Sequence, residues 1–345
     1  MARKTKMNNL TSPELLAQVN PENQKLKKEF LRYLRSMKRS QGTIDGYSHD
    51  LDTFFVFLLQ ECGNKSILQC TIRDFVNFQG HLLEDNDNSP ARIRRIKASI
   101  SSFSNAIELL YADEYPNFRN LIRKVESPVN TPVREKTVLS QEQIEFLLQE
   151  LTRRKEYEKA CCFALAAYSG RRKAELFRFR VSDFSEKNVM YGTLYKSAPI
   201  MTKGRSGGKK IPCYVLKKQF QPYLDAWLAE RDRLGIKSDW LFPAADDPSA
   251  AKNYQIMNSW TRTASSILGE DVYAHSFRHA FVTYLMSLGL PNQIVVSIMQ
   301  WEKSSGDAMI AIYNDTDAEE DFAKYFIDGE IVGRRETPSL SDLPS

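Results

Sequence analysis

The 345-residue sequence predicts a mostly α-helical protein with a small β-sheet, an α+β chain with a helical N-terminal domain and a mixed C-terminal one. Three observations predict this. Apolar residues recur at helical spacing almost without interruption between residues 21 and 112. A proline-marked break follows at Ser127-Pro128-Val129-Asn130-Thr131-Pro132. Beyond it, residues 189–215 change to short β-type runs around a Gly-rich turn before helical periodicity returns.

Residues 1–20 form a polar lead-in with one helical turn starting at Ser12-Pro13-Glu14, an N-cap followed by proline at the first helical position. The first domain, 21–126, holds four helices. The first covers 21–38, with Leu26, Phe30, Tyr33, Leu34 and Met37 on one face. The second covers 43–59, with Tyr47, Leu51, Phe54, Phe55 and Leu58. The third covers 71–84, with Phe75, Phe78 and Leu82, and the fourth runs from Ser89-Pro90 to about Tyr111. The first turns of that fourth helix carry Arg92, Arg94, Arg95 and Lys97 with no acid between them. A linker, 127–138, separates this domain from a second one spanning 139–328. There Ser140 caps a helix over 141–153, and a second helix covers 156–168. Val189-Met190-Tyr191 and Ile211-Pro212-Cys213-Tyr214-Val215 read as strands. Further helices are expected over 217–235, 254–268, 276–288, 291–300 and 317–327, and the polar tail 329–345 reads as flexible.

Composition is that of an ordinary globular chain, with 42% apolar and 26% charged residues. The net charge of +5 is mild, so its distribution matters more than its total. Five cysteines, an odd number with no C-x-x-C spacing, argue against a disulfide framework or a zinc site and fit a reducing cytoplasm. No signal peptide or membrane-spanning run is present, so a cytoplasmic protein is expected. Gly207-Gly208-Lys209-Lys210 lacks the P-loop spacing, H-E-x-x-H is absent, and no metal or other cofactor is expected.

The residues able to do chemistry come as an ordered set in the second half. Arg172 lies in Ser169-Gly170-Arg171-Arg172-Lys173-Ala174-Glu175-Leu176, and Glu175 is placed to hold its guanidinium. Lys203 sits in a basic turn that also carries Arg205, Lys209 and Lys210, within a stretch from Lys196 to Lys218 free of acids. His275 and Arg278 share one face of a helix start, Trp301 lies near a helix end, and Tyr313 follows. The set suits attack by a tyrosine on a phosphodiester without a metal. Two guanidiniums stabilise the charge that develops on the non-bridging oxygens. The imidazole and the ammonium move protons, and the phenol, with an ordinary pKa of about 10, attacks once positive charge activates it. Lys209 and Lys210 compete with Lys203 for the proton-donor role. Tyr325 is the rival of Tyr313, but it lies with Phe322 and Phe326 on an apolar stripe and reads as packing.

Taken together, these motifs resemble the tyrosine recombinase (phage integrase) family over about residues 20–328. The 169–176 segment looks like its first arginine box, Thr202-Lys203-Gly204 is similar to its hairpin lysine, and His275-Ser276-Phe277-Arg278-His279 is close to its H-x-x-R-H box. Two departures stand out. Met299-Gln300-Trp301 occupies the place where most members have Leu-Gly-His, so acid–base work would fall on Lys203 and His275, since an indole N–H donates but takes no proton. The stretch to Tyr313 is also longer, with Lys303-Ser304-Ser305-Gly306 as the insert.

The resemblance implies an N-terminal core-binding (SAM-like) domain, a catalytic domain, and site-specific cleavage and rejoining of DNA through a 3′-phosphotyrosine and a Holliday junction. It also implies a homotetramer on two DNA sites, with a last helix docking on a neighbour through Phe322, Tyr325 and Phe326, and it allows an accessory directionality factor. Arg92, Arg94, Arg95, Lys97, Arg205, Lys209 and Lys210 would lie against the DNA backbone of a nucleoid-associated protein. The short lead-in leaves no room for a separate arm-binding domain, which points to a mobile element or phage. Two other readings remain: a type IB topoisomerase working on one duplex, and a DNA-binding protein that has lost catalysis.

Overall fold

The computed structural model describes residues 10–129, 138–202 and 210–301, together with 306, 309, 310, 326, 327, 330 and 331. The chain divides into two compact units, the first holding the described residues up to 129 and the second those from 138 onward.

The first unit consists of α1 (Pro13–Gln18), α2 (Pro21–Ser36), α3 (Gln41–Glu61), α4 (Ile72–Gly80) and α5 (Pro90–Leu110). The capping residues set the boundaries. Ser12, Asn20, Ser40 and Ser89 each accept a first-turn backbone N–H, and Thr71 with Asp74 forms a reciprocal box. Proline opens α1, α2 and α5, where its missing N–H costs nothing. Aromatic rings lock the helices together. Phe54 of α3 lies 5.5 Å from Phe75 and 5.0 Å from Phe78, and Phe103 of α5 lies 5.4 Å from Phe30 and 5.9 Å from Phe55. The lead-in belongs to this unit. Leu15 and Leu16 pack on its core, and Asn20 bonds the backbone and side chain of Asn64. The third expected helix is not uniform, because α4 ends at Gly80 and continues as a wider π-turn, His81–Asp85.

The second unit contains α6 (Gln141–Arg153), α7 (Tyr157–Ser169), α8 (Lys173–Leu176), α9 (Lys217–Arg233), α10 (Met257–Leu268), α11 (Ala274–Ser287) and α12 (Asn292–Met299). Every residue of α7 from Ala160 to Ser169 is buried, and α6, α9 and α11 pack around it. A helix apolar on all sides belongs at a core centre, and this one delivers its C-terminus into the interior.

Between α8 and α9 lie β1 (Val189–Met190), β2 (Leu194–Lys196), β3 (Ile200–Met201), β4 (Lys210–Ile211) and β5 (Tyr214–Leu216). The order β1-β2-β5 forms an antiparallel sheet, and β3 pairs with β4 in a separate hairpin. The single strand expected over 211–215 is therefore two. Pro212 donates no N–H, and Cys213 leaves the β3–β4 ladder to exchange hydrogen bonds with Ser197. Tyr191, expected in a strand, instead takes φ +51° in the turn between β1 and β2.

At the C-terminal end, Phe326–Ile327 pairs antiparallel with Glu330–Ile331 as β6 and β7. Phe326 thus closes a β-hairpin and does not continue a helix from Phe322, and residues 330–331 are strand where a flexible tail was expected. Phe322 and Tyr325 lie outside the described residues. Among the described residues, no helix is long and apolar enough to cross a membrane.

Candidate functional site

The site begins where α7 ends. Gly170 caps the helix with φ +61°, and a Cβ there would sit 2.6 Å from Phe281 Cδ1 and 3.0 Å from Met299 Sδ. Backbone hand and close approach both require glycine at this position. The left-handed residue turns the next two arginines to different fates. Arg171 is buried, with 2% of its surface exposed. Its Nε donates to Ser169 O at 3.1 Å and its Nη2 to Ile298 O at 2.9 Å. Arg172 caps the short α8 and keeps 39% of its side chain exposed. Glu175, buried, accepts from the Arg172 backbone N–H at 3.1 Å and from its Nη1 at 3.3 Å. The Arg172–Glu175 pair is therefore not a loose surface pair, because the buried carboxylate fixes the guanidinium's direction while its outer edge stays open.

Opposite lies the start of α11. Arg278 is 1% exposed and donates through Nη1 to Gly170 O, so the same glycine serves both arginines. Its guanidinium carbon lies 5.5 Å from the centre of the Trp301 ring. The His275 ring reaches solvent but is crowded by protein. Loss of hydration first, then the charges of Arg278, His279 and Arg172, hold its pKa below the ordinary value. His279 stands one helical turn on, its ring edge-on to His275 at 6.0 Å between centres. The two guanidiniums thus act on one imidazole, which stays neutral near pH 7. Such a group can accept a proton beside donors poised for an anion.

Trp301 follows α12, its backbone N–H bonded to Val296 O at 3.1 Å. Gln300 takes φ +55°, the left-handed turn that a glycine would make without strain. Beyond it, the described residues of the following segment are anchored. Gly306 is buried so tightly that a Cβ would meet Val296 Cγ2 at 2.8 Å, Ile310 is buried and Met309 packs on the core. Tyr313 itself lies outside the described residues, as do Lys203, Arg205 and Lys209. Lys210 is exposed in β4, and the hairpin is braced where Arg178 donates to Met201 O.

In the first unit the four basic residues of α5 separate. Asp50 of α3 is fully buried and accepts from Arg92 Nη1 at 2.5 Å and from Ser99 Oγ at 2.7 Å, with Arg95 Nε at 3.5 Å. Arg92 and Arg95 keep part of their surface in water. Arg94 is exposed and donates to Pro128 O. Lys97, expected to face DNA with the others, is instead buried. Its ammonium donates to Gln79 Oε1, Val125 O and Glu126 O at 2.8–2.9 Å, and burial followed by the nearby Arg94 charge lowers its pKa. Three acceptors and an exposure of only 7% make it part of the fold.

Sequence reasoning chose Arg172 and was silent on Arg171, because two adjacent arginines after a glycine carry no sign of which is buried. It also missed the polar cluster beside Arg172, where Lys173 donates to Gln255 Oε1 at 3.2 Å and Asn258 Oδ1 at 3.1 Å. No periodic signal links residues so far apart in sequence.

Residues 137–320 match the Phage integrase family, and residues 28–106 match the phage integrase N-terminal SAM-like domain. The SPbeta prophage-derived recombinase-like protein YomM of Bacillus subtilis (strain 168) is 27% identical over 282 residues, covering 79% of this chain and 80% of that protein. The fold is shared with XerH site-specific recombinase bound to palindromic difH substrate, at TM-score 0.61 and 16% identity over 90% of this chain and 87% of that one. It is shared equally with a λ integrase tetramer bound to a Holliday junction, at TM-score 0.62 and 10% identity over 90% and 82%. With the catalytic-domain match alone spanning more than half of its length, the chain belongs to the phage integrase family of tyrosine recombinases, the enzymes that cleave and rejoin DNA strands site-specifically.

Proposed function

We propose that this recombinase cuts one strand at a time through a 3′-phosphotyrosine and exchanges strands through a Holliday junction, without metal or ATP. The phenol oxygen of Tyr313 attacks phosphorus, the 5′-oxygen leaves, and the ester conserves the bond energy for religation. Arg172 and Arg278 stabilise the charge on the non-bridging oxygens, with Trp301 donating its indole N–H. His275 takes the phenolic proton, and Lys203 gives one to the leaving oxygen. The observation that carries this reading is that Arg278, bonded to Gly170 O two residues before Arg172, and Arg172, held by the buried Glu175, both lie near enough to His275 for their charges to lower its pKa. Arg92, Arg94 and Arg95 supply phosphate contacts from the first unit, and Arg205, Lys209 and Lys210 from the hairpin, while Lys97 serves the fold. The reading extends to a cytoplasmic homotetramer on two DNA sites that integrates, excises or inverts DNA, and it allows an accessory directionality factor. Structures of XerH on difH and of a λ integrase tetramer on a Holliday junction support it through the shared fold.

The test is covalent trapping. Full-length protein is incubated without metal with nicked suicide duplexes tiled from the DNA flanking its own gene, beside Tyr313→Phe. An adduct in wild type that is absent in the variant is the expected result. An adduct that persists in Tyr313→Phe moves the nucleophile elsewhere. Salt-sensitive binding with no adduct on any duplex makes the chain a binder without catalysis, and relaxation of supercoils at any sequence makes it a topoisomerase.

A further inference from the structure

We propose that Arg171 is a positioning residue for strand cleavage, a buried bolt that holds three separate pieces of the site in register. The proposal rests on the functional reading above. The three directions of its guanidinium go to three elements. Nε donates to Ser169 O at 3.1 Å, at the end of α7 that leads into Arg172. Nη1 points at Cys213 Sγ, 3.8 Å away. Cys213 in turn accepts from Ser197 N at 2.9 Å and donates to Ser197 Oγ at 2.9 Å, the pair that closes the base of the β3–β4 hairpin. Nη2 donates to Ile298 O at 2.9 Å and lies 3.9 Å from Met299 Sδ, at the end of α12 two residues before Trp301.

The chemistry of these partners is telling. Among the described residues no carboxylate pairs with Arg171, and its acceptors are two backbone carbonyls and two sulfurs. Taking a guanidinium out of water is costly, and an apolar side chain of similar volume often fills such a position at least as stably. What an apolar side chain lacks is direction. The planar fork fixes three partners at set angles, which a single ammonium cannot do. Ile298 O is also one of the last-turn carbonyls of α12, where a cation is favoured by the helix dipole. Arg231 shows the contrasting case. It is equally buried and donates to the carbonyls of Ser238, Trp240 and Leu241, but it joins α9 to a loop that carries none of the candidate residues.

The experiment uses full-length Arg171→Met and Arg171→Lys with two readouts. The first is independent of activity. Protein labelled with 5-fluorotryptophan gives resonances for Trp227, Trp240, Trp260 and Trp301, the last assigned by Trp301→Phe. In Arg171→Met the Trp301 resonance is expected to shift or broaden while the other three stay. The second is single-turnover adduct formation at saturating DNA, expected to slow by about 10- to 100-fold with DNA affinity within about twofold. Arg171→Lys should recover part of that rate. An unmoved Trp301 resonance, or an adduct rate equal to wild type, overturns the proposal. If Arg171→Met does not fold, Arg171→Lys carries the same two readouts. If neither folds, Arg171 is a stability residue and the proposal fails. Should wild type form no adduct on any duplex, the functional reading is what fails, and the Trp301 resonance still decides whether Arg171 positions that end of α12.

Discussion

In the first unit the fully buried ion of the arginine cluster is an acid, and the arginines reach outward from it. In the second unit two guanidiniums, those of Arg171 and Arg278, are themselves buried, while Arg172 is held from below by the buried Glu175. Asp50 lies at the bottom of the α3–α5 contact and holds Arg92 and Arg95 by their inner nitrogens, leaving their outer edges to water. Arg171 and Arg278 are sunk to 2% and 1% exposure and are held by backbone carbonyls. The difference fits the two tasks proposed for these residues. A grip on a phosphate backbone needs cations that stay hydrated until they meet DNA and are kept from collapsing onto the protein. A site for a fleeting excess of negative charge needs donors already desolvated and fixed, so that nothing reorganises during reaction. Lys97 shows the boundary of this contrast within the first unit, since burial turned it from an available cation into a tie between α5, α4 and residues 125–126.

The largest effect that could break the comparison lies at Gly170. Gly170→Ala puts an L-residue in the left-handed region and a methyl against Phe281 and Met299, a cost of about 2–4 kcal/mol by chemical denaturation. If that variant were as stable as wild type, the packing that sets the two buried arginines would be misread. Next is Asp50→Asn, which keeps shape but removes the charge that Arg92, Arg95 and Ser99 share. It should lose about 1–3 kcal/mol and weaken DNA binding while leaving cleavage at saturation intact. A drop in the saturated cleavage rate instead would erase the division of labour between the units. Gln300→Gly works in the opposite direction, relieving the left-handed strain before Trp301 and raising stability by about 1 kcal/mol. The smallest effect is on pH. His275 has a folded pKa below its unfolded one, so its contribution is fully present above about pH 6.5 and is lost as pH falls through the lower folded value. A proton titration by NMR should place its midpoint below 6.5 in free protein, and a midpoint above that value would mean the two arginines do not act on it.

Much of the helical frame was legible because its signals are local. Ser12, Ser89-Pro90 and Ser140 announced helix starts that the structure places within a residue, and the Phe-bearing stripes of α3 and α4 announced faces that meet. The strands were less legible because each is two or three residues long, too short for alternation to register. They are held in place from outside, by Asp183 accepting from Ala198 N and by Arg178 donating to Met201 O. The site was legible as a set of residue types and unreadable as a geometry. Nothing in Arg171-Arg172 says that one faces Ile298 and the other faces outward, because only Gly170's backbone turn and the end of α12 decide it. His279 comes beside His275 because residues four apart share a helix face. Lys97 sat in a basic run whose charge gave no hint of depth.

The most direct test of the account measures two quantities on two variants with one suicide duplex. Arg92→Ala/Arg95→Ala and Arg172→Ala would be compared for DNA affinity across a salt series and for single-turnover adduct formation at saturating DNA. The account predicts that the first variant weakens binding and flattens the salt slope by up to about 2, near 0.9 per lost phosphate contact, with its saturated rate unchanged. It predicts that Arg172→Ala binds within a few-fold of wild type and forms adduct about 100- to 1,000-fold more slowly. The reverse pattern, with Arg172→Ala losing affinity at full rate or the double variant losing rate at full affinity, would contradict the division between a phosphate grip and a preorganised reaction centre.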